Sequence, residues 1–277
     1  MERRTFVAAI AAAMAAGADP LRACAPSPQA RAPGLGIQLY TLRSEMERDF
    51  EGTLARVAEI GYREVEFAGY FDRSAADVRA TLDSAGLTAP AAHAGLDLIG
   101  DALEKTLSDA ATIGHRYLVV PWISEENRTL DGFRQVAEQL NRASEQARAN
   151  GLTVGYHNHD FEFVRTDDQI PLDVLLAETD PSVVLELDIF WTVKGGADPL
   201  SYFSQHSGRV KLIHAKDMDA AGNMTDVGAG TIDFAAILNA GEGAGLEHVF
   251  VEHDQPADPF ATARAGHAHL QQLISEG

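Results

Sequence analysis

The segment VVLELDIF, residues 183–190, begins with apolar, β-prone residues and carries two acids near its end. Side chains alternate along a strand, so Val184, Glu186 and Asp188 share one face and the leucines between them share the other. Asp188 is nearer the carboxyl end and is the better candidate for a ligand. For Glu186 we expect a structural role inside the fold.

Seven further segments have the same strand character, and longer helical patterns separate them. Several of these helical patterns close with glycine, as a left-handed C-cap requires. Eight strands and eight helices in about 240 residues predict a single-domain α/β fold, a (β/α)8 TIM barrel, rather than a doubly wound sheet of five or six strands. The other predicted strands are 36–42, 63–68, 88–94, 117–122, 152–158, 210–217 and 248–254.

Such barrels carry their sites at the carboxyl ends of the strands. Six of the eight predicted strands end in His, Asp or Glu, which is more than helix caps alone explain. Asp188, His214 and Glu252 lie near the carboxyl ends of three adjacent predicted strands. We expect their side chains to converge at the carboxyl-terminal rim of the barrel. Two carboxylates and an imidazole suit one divalent ion, with Mn²⁺ expected first and Mg²⁺, Co²⁺ or Zn²⁺ as alternatives.

Composition excludes some partners. The 277 residues carry 22 Lys and Arg against 41 Asp and Glu, a formal charge of -19, so the average surface repels nucleic acid and anionic membranes. We expect a small-molecule carbohydrate as the partner, no transmembrane span in the mature protein, and a homo-oligomer as an open alternative.

The N-terminus reads MERRTFVAAIAAAMAAGA, a twin arginine followed by an apolar run too short to span a bilayer. This resembles a bacterial twin-arginine export signal and predicts a periplasmic protein. We assign residues 1–33 to signal and linker and residues 34–277 to the barrel. The sole cysteine, Cys24, lies in a weak lipobox-like context, and without it the barrel has no thiol chemistry.

Three motifs carry a family resemblance: YHNHDFEF (156–163), HAKD (214–217) and DVGAGTIDF (226–234). Together with LELD and VEHD they resemble the xylose isomerase-like TIM barrel superfamily, in its sugar isomerase/epimerase and inosose dehydratase branch. The resemblance covers the whole mature chain. It implies that Asp188, His214 and Glu252 are metal ligands.

The fifth strand departs from the family pattern. Family epimerases have a glutamate ligand there, whereas this chain has Tyr156 or His157. Either Glu162 reaches back from the following loop or His157 itself binds the metal. We favour Glu162, because a third carboxylate keeps the site rich in oxygen, and this leaves His157 and His159 for proton transfer.

The resemblance also implies a reaction. A divalent ion would acidify the C–H bond beside a carbonyl and stabilise the enediolate, in an isomerase or epimerase or in a lyase that eliminates water or a glycosidic oxygen. The paired histidines favour elimination. Lys216 is expected to stabilise the enolate. Substrate contacts are expected from Glu66, His93, Trp191 and Lys194.

Two other classes stay open. One is a non-catalytic periplasmic carbohydrate-binding barrel, against which the intact set of Asp188, His214 and Glu252 argues. The other is a phosphodiesterase similar to endonuclease IV, which the acidic charge disfavours.

Overall fold

A computed structural model describes residues 32–276. Eight parallel strands in this part of the chain close into a barrel in the order β1-β10-β7-β6-β5-β4-β3-β2, which confirms the predicted TIM barrel. The barrel strands are β1 (Gly34–Gln38), β2 (Glu64–Phe67), β3 (Thr88–His93), β4 (Tyr117–Val120), β5 (Thr153–His157), β6 (Val184–Asp188), β7 (Val210–Ala215) and β10 (His248–Val251), and a short hairpin is formed by β8 (Asp217–Met218) and β9 (Met224–Thr225).

Within residues 32–276 ten helices surround the barrel, two more than the sequence predicted. The additional ones are short: α1 precedes α2, and two helices rather than one follow β6. The helices are α1 (Arg43–Arg48), α2 (Phe50–Ile60), α3 (Ala75–Ala85), α4 (Leu103–Ile113), α5 (Leu130–Ala149), α6 (Pro171–Glu178), α7 (Ile189–Lys194), α8 (Pro199–Gln205), α9 (Phe234–Ala244) and α10 (Pro259–Glu276), with 3-10 turns at Leu39–Leu42, Glu125–Asn127 and Phe161–Phe163.

Glycines end helices where the sequence predicted them. Gly86 closes α3 and Gly114 closes α4, both in the left-handed conformation with φ of 66° and 94°. A side chain with a Cβ is strained in this conformation, so these positions favour glycine.

The barrel interior is built in layers. An apolar floor lies inside the strands, and in several strands the residue two positions further on is polar. Side chains two apart share a face, so the polar side chains form a second layer directly above the floor, toward the carboxyl ends. The floor residues are Ala91, Tyr117, Val119, Val184, Leu212 and Phe250.

No helix within residues 32–276 is long and apolar enough to cross a membrane. The predicted export signal and Cys24 lie outside the described residues, so export and lipid attachment stay predictions.

Candidate metal centre and catalytic pocket

Asp188, His214 and Glu252 form what we call the outer group, at the carboxyl ends of β6, β7 and β10. One ligand atom of each lies within 4.8 Å of the others, and all three residues are buried. His214 Nδ1 lies 2.6 Å from Glu252 Oε2 and 4.0 Å from Asp188 Oδ2. His157 Nε2 faces the same group, 3.7 Å from Asp188 Oδ2.

A second cluster, the inner group, consists of His93, His157, Glu186 and His214. Its centre is Glu186 Oε2, which lies 3.0 Å from His93 Nε2, 3.2 Å from His157 Nδ1 and 3.2 Å from His214 Nε2. Glu66 Oε2 lies 2.6 Å from the same His214 nitrogen. The structural role expected for Glu186 is therefore to orient imidazoles.

The two groups share His157 and His214. Each of these rings turns one nitrogen toward Asp188 and the other toward Glu186. Histidines that bind metals commonly hold the second ring nitrogen on a carboxylate, which fixes the tautomer and the ring orientation. The outer group is therefore a candidate ligand set, and Glu186 lies behind the two imidazoles that face Asp188.

Charge in this region is dominated by buried acids. Burial raises the pKa of Asp188 to about 6, although Lys216 and His214 oppose that shift. Burial and the charge of Glu186 raise the pKa of Glu66 to about 7. Burial disfavours the charged form of His214, but the negative charges of Glu186, Glu252 and Glu66 together hold the pKa of His214 well above its usual range.

Several buried oxygens in these groups have no hydrogen-bond donor. They are Glu66 Oε1, Glu186 Oε1 and Asp188 Oδ2, the last of which has Lys216 Nζ at 3.1 Å without hydrogen-bond geometry. Buried charges in proteins are paired or bind metals. Carboxylate oxygens and imidazole nitrogens are ligands for divalent cations, and three of these oxygens have no hydrogen-bond donor. The residues therefore fit a divalent cation.

Lys216 is buried beside the outer group. Its Nζ lies 2.8 Å from Glu252 Oε2 and donates to Asp254 Oδ1 at 2.7 Å. Burial opposes the charge, but Asp188, Glu252 and Asp254 raise the pKa of Lys216 well above its usual value. The side chain is therefore an ammonium at neutral pH.

A cavity of about 450 Å³ lies beside the outer group, and Glu252 is the member of that group that lines it. His93, His157, His159 and Lys216 also line it, whereas Asp188 and His214 do not. Burial lowers the pKa of His159 to about 2, with contributions from His157 and Lys216, so this imidazole is neutral. The cavity therefore combines candidate ligands, a neutral base and a protonated donor.

The structure brings together most of the predicted site residues, but Glu162 is an exception. Its Oε1 accepts a hydrogen bond from the Tyr156 hydroxyl at 2.7 Å, and its Oε2 accepts one from the His159 backbone N–H at 2.9 Å. Tyr156 points away from the face that carries His157, and Glu162 follows it there. Glu162 belongs to neither ligand group, so the contacts favour the alternative, His157.

Three of the predicted substrate contacts do not line this cavity. Glu66 is fully buried next to His214. The Trp191 ring centre lies 5.6 Å from that of His159. Lys194 is exposed and donates to the Gly222 carbonyl at 2.7 Å. The fourth, His93, lines the cavity.

Sequence reasoning missed Asn158, which is fully buried between the ends of β5 and β6. Its Oδ1 accepts the Asp188 backbone N–H at 3.0 Å, and its amide lies 3.3 Å from the Thr192 hydroxyl. An asparagine between two histidines gives no signal in the sequence, because its partner lies 30 residues away.

Comparison with known proteins agrees with this fold. The model of the family described as xylose isomerase-like TIM barrel matches residues 54–273. An inosose dehydratase from Geobacillus thermodenitrificans is 25% identical over 272 residues, covering 82% of this chain and 90% of that protein.

Two solved structures share the fold. A sugar phosphate isomerase/epimerase from Parabacteroides distasonis is 26% identical with a TM-score of 0.77, covering 88% of this chain and 96% of that one. The IOLI protein, solved with a zinc atom, is 18% identical with a TM-score of 0.70, covering 88% and 98% of the two chains.

Proposed function

The chain belongs to the xylose isomerase-like TIM barrel family, and from this premise we propose that it is a divalent-metal-dependent lyase that eliminates an oxygen substituent from a keto-sugar or cyclitol. The observation that carries the proposal is that the outer group borders the cavity. Glu252 and His157 line the cavity, and Asp188 and His214 are fully buried beside them, so an ion held by this group would lie at the edge of the cavity.

His157, Asp188, His214 and Glu252 would hold the ion, supported by Glu186. When bound, a divalent ion polarises a carbonyl and stabilises negative charge on its oxygen. Two carboxylates and two imidazoles are compatible with Mn²⁺, Co²⁺ or Zn²⁺, and we propose Mn²⁺ as the first ion to test.

His159 and Lys216 supply the proton transfers. Neutral His159 takes the proton from the carbon beside the carbonyl, and the electrons of that C–H bond form a C=C bond to the next carbon. The bond from that next carbon to its oxygen breaks, and Lys216 donates a proton to the departing oxygen. The products are an unsaturated ketone and either water or an alcohol.

The residue types in the cavity fit an elimination. Elimination needs one group that accepts a proton and a different group that donates one, and the cavity presents a neutral imidazole and an ammonium. The inosose dehydratase among the relatives supports the same reaction class.

The cavity also argues against a phosphorylated substrate. Lys216 is the only lysine or arginine among the described residues that line it, and three carboxylates already surround its ammonium. A phosphate group needs positive donors that are free to pair with it. We therefore propose an uncharged sugar or cyclitol.

The test is incubation of the Mn²⁺-loaded protein in D₂O with 3-keto-glucosides, inososes and common ketoses. After the metal is removed, NMR should show deuterium beside the carbonyl or an unsaturated product. Asp188→Asn should abolish both signals and metal retention, whereas Glu64→Gln, at the opposite end of the barrel, should retain them. Bound metal without exchange in any substrate would refute catalysis and favour a binding barrel.

A further inference from the structure

Two large aromatic side chains stand exposed on the rim of the same cavity. Tyr40 is 42% exposed and Trp122 is 50% exposed, and both line the cavity. Large apolar groups exposed beside a concave site commonly mark binding surfaces. Neither residue takes part in the proton transfers proposed above, so their exposure calls for a separate explanation.

Both rings are held in place from one side. The Arg128 guanidinium carbon lies 4.3 Å from the Trp122 ring centre and 3.7 Å from that of Phe161, in cation–π contact with both rings. The Arg43 guanidinium lies 4.2 Å from the Tyr40 ring centre in the same manner. Each exposed ring is therefore backed by a cation and ready to stack on a ligand with little loss of side-chain freedom.

The rings stand on either side of one part of the cavity mouth. Tyr40 follows β1 and Trp122 follows β4, and β2 and β3 lie between these strands in the barrel. From β2 and β3 the cavity is lined by Ala68, which is small, and by His93. We call this side of the mouth, between the Tyr40 and Trp122 rings, the aromatic slot.

The slot lies next to the proposed chemistry. The Trp122 ring centre is 4.9 Å from that of His159, with the ring planes at 90°. The whole cavity, at about 450 Å³, falls in the range of about 300–1,000 Å³ typical of pockets for drug-sized ligands. A sugar over the outer group would leave the aromatic slot open to a substituent.

We propose that Tyr40 and Trp122 form a second subsite, which binds a ring carried by the sugar as its leaving group. The inference rests on the proposed elimination and names its substrate class, a keto-glycoside rather than a free sugar. The shared chemistry of the bound ring is a flat apolar face, which either an aromatic ring or the C–H face of a second pyranose provides.

The test compares methyl, 4-nitrophenyl and glucosyl 3-keto-β-D-glucosides as substrates. Trp122→Ala should raise KM about tenfold more for the two ring-bearing substrates than for the methyl glycoside. Trp122→Phe should restore most of the loss, because it keeps a flat ring. Leu200→Ala, which truncates an exposed apolar side chain outside the cavity, should change nothing.

A loss confined to the 4-nitrophenyl or to the glucosyl substrate would support the subsite and identify the ring that it takes. An equal loss for all three substrates, or no loss, would overturn it. If the wild-type protein turns over none of them, the proposed reaction fails. Calorimetric binding of methyl and 4-nitrophenyl β-D-glucosides then decides the subsite alone: a ring-selective loss in Trp122→Ala supports it, and equal binding overturns it.

Discussion

Replacement of Glu186 by glutamine tests the division between an outer ligand group and its inner support. The side chain keeps its size, but the carboxylate that faces His93, His157 and His214 loses its charge, and one oxygen becomes an amide donor. His157 then loses the carboxylate that orients its Nδ1, and His214 Nε2 retains only Glu66 as a carboxylate partner, so both rings are oriented less firmly toward Asp188. The outer carboxylates stay in place, so the ion should still bind, but more weakly.

The size of the effect follows from the number of rings that Glu186 orients. Loss of one carboxylate partner behind a metal ligand typically costs about 10–100-fold in affinity. Glu186 supports two of the four proposed ligands, so we expect the upper end, about 100-fold, which corresponds to about 2.7 kcal/mol.

The assay is calorimetric titration of metal-free protein with Mn²⁺, accompanied by a thermal melt to verify folding. Glu64→Gln is the matched control, because Glu64 Oε2 also pairs with a histidine, His248 Nδ1 at 2.7 Å, at the amino-terminal end of the barrel. It should bind Mn²⁺ as tightly as the wild type. Unchanged affinity in folded Glu186→Gln would refute the supporting role, and complete loss of binding would make Glu186 itself a ligand.

Three further predictions concern other parts of the chain. Glu162→Gln should keep both metal and turnover, since an amide can accept from the His159 backbone N–H and donate to the tyrosine hydroxyl; Glu162→Ala should keep the metal but lower kcat. Loss of metal in either variant, by elemental analysis, would restore Glu162 as a ligand. Burial lowers the pKa of His115 from 6.5 to about 4. As the pH falls, His115 is protonated in the unfolded chain before it is protonated in the folded one. The free energy of unfolding should therefore be highest above pH 6.5 and should fall by about 3 kcal/mol as the pH drops to 4. Denaturant titrations across this range should show a shallower fall for His115→Gln. Phe250→Ala, in the barrel floor, should lower the free energy of unfolding by about 3–5 kcal/mol. Denaturant titration should show almost no change for Val164→Ala, which is 63% exposed.

The fold could be predicted because strand and helix periods are local properties of the sequence. All eight barrel strands lie within or near their predicted ranges, and the errors are at the ends. The strand predicted to reach residue 190 stops at Asp188, because the Asp188 side chain caps α7 by accepting the Trp191 N–H at 2.8 Å. The strand predicted to reach residue 122 stops at Val120, just before Pro121, which has no N–H to donate.

The site was less predictable, because it depends on which face a side chain takes after the strand has ended. Asp188, His214 and Glu252 lie on regular strands or directly after them, and alternation placed them correctly together. Glu162 lies in a 3-10 turn, where no alternation applies, so its proximity to His157 in sequence was misleading. The short helix α7 and the hairpin were missed for the same reason.

The segment YHNHDFEF can now be resolved into separate roles. Tyr156 points outward and holds Glu162, while His157 points inward to the outer group. Asn158 points sideways to the Asp188 backbone, and His159 reaches the cavity on a loop whose N–H Glu162 fixes. One segment thus sets a proposed ligand, the alignment of a second ligand and the proposed base. The end of one strand therefore fixes the position of the proposed base, His159, relative to the proposed ligand, His157. This explains why the segment concentrates so many polar groups in eight residues.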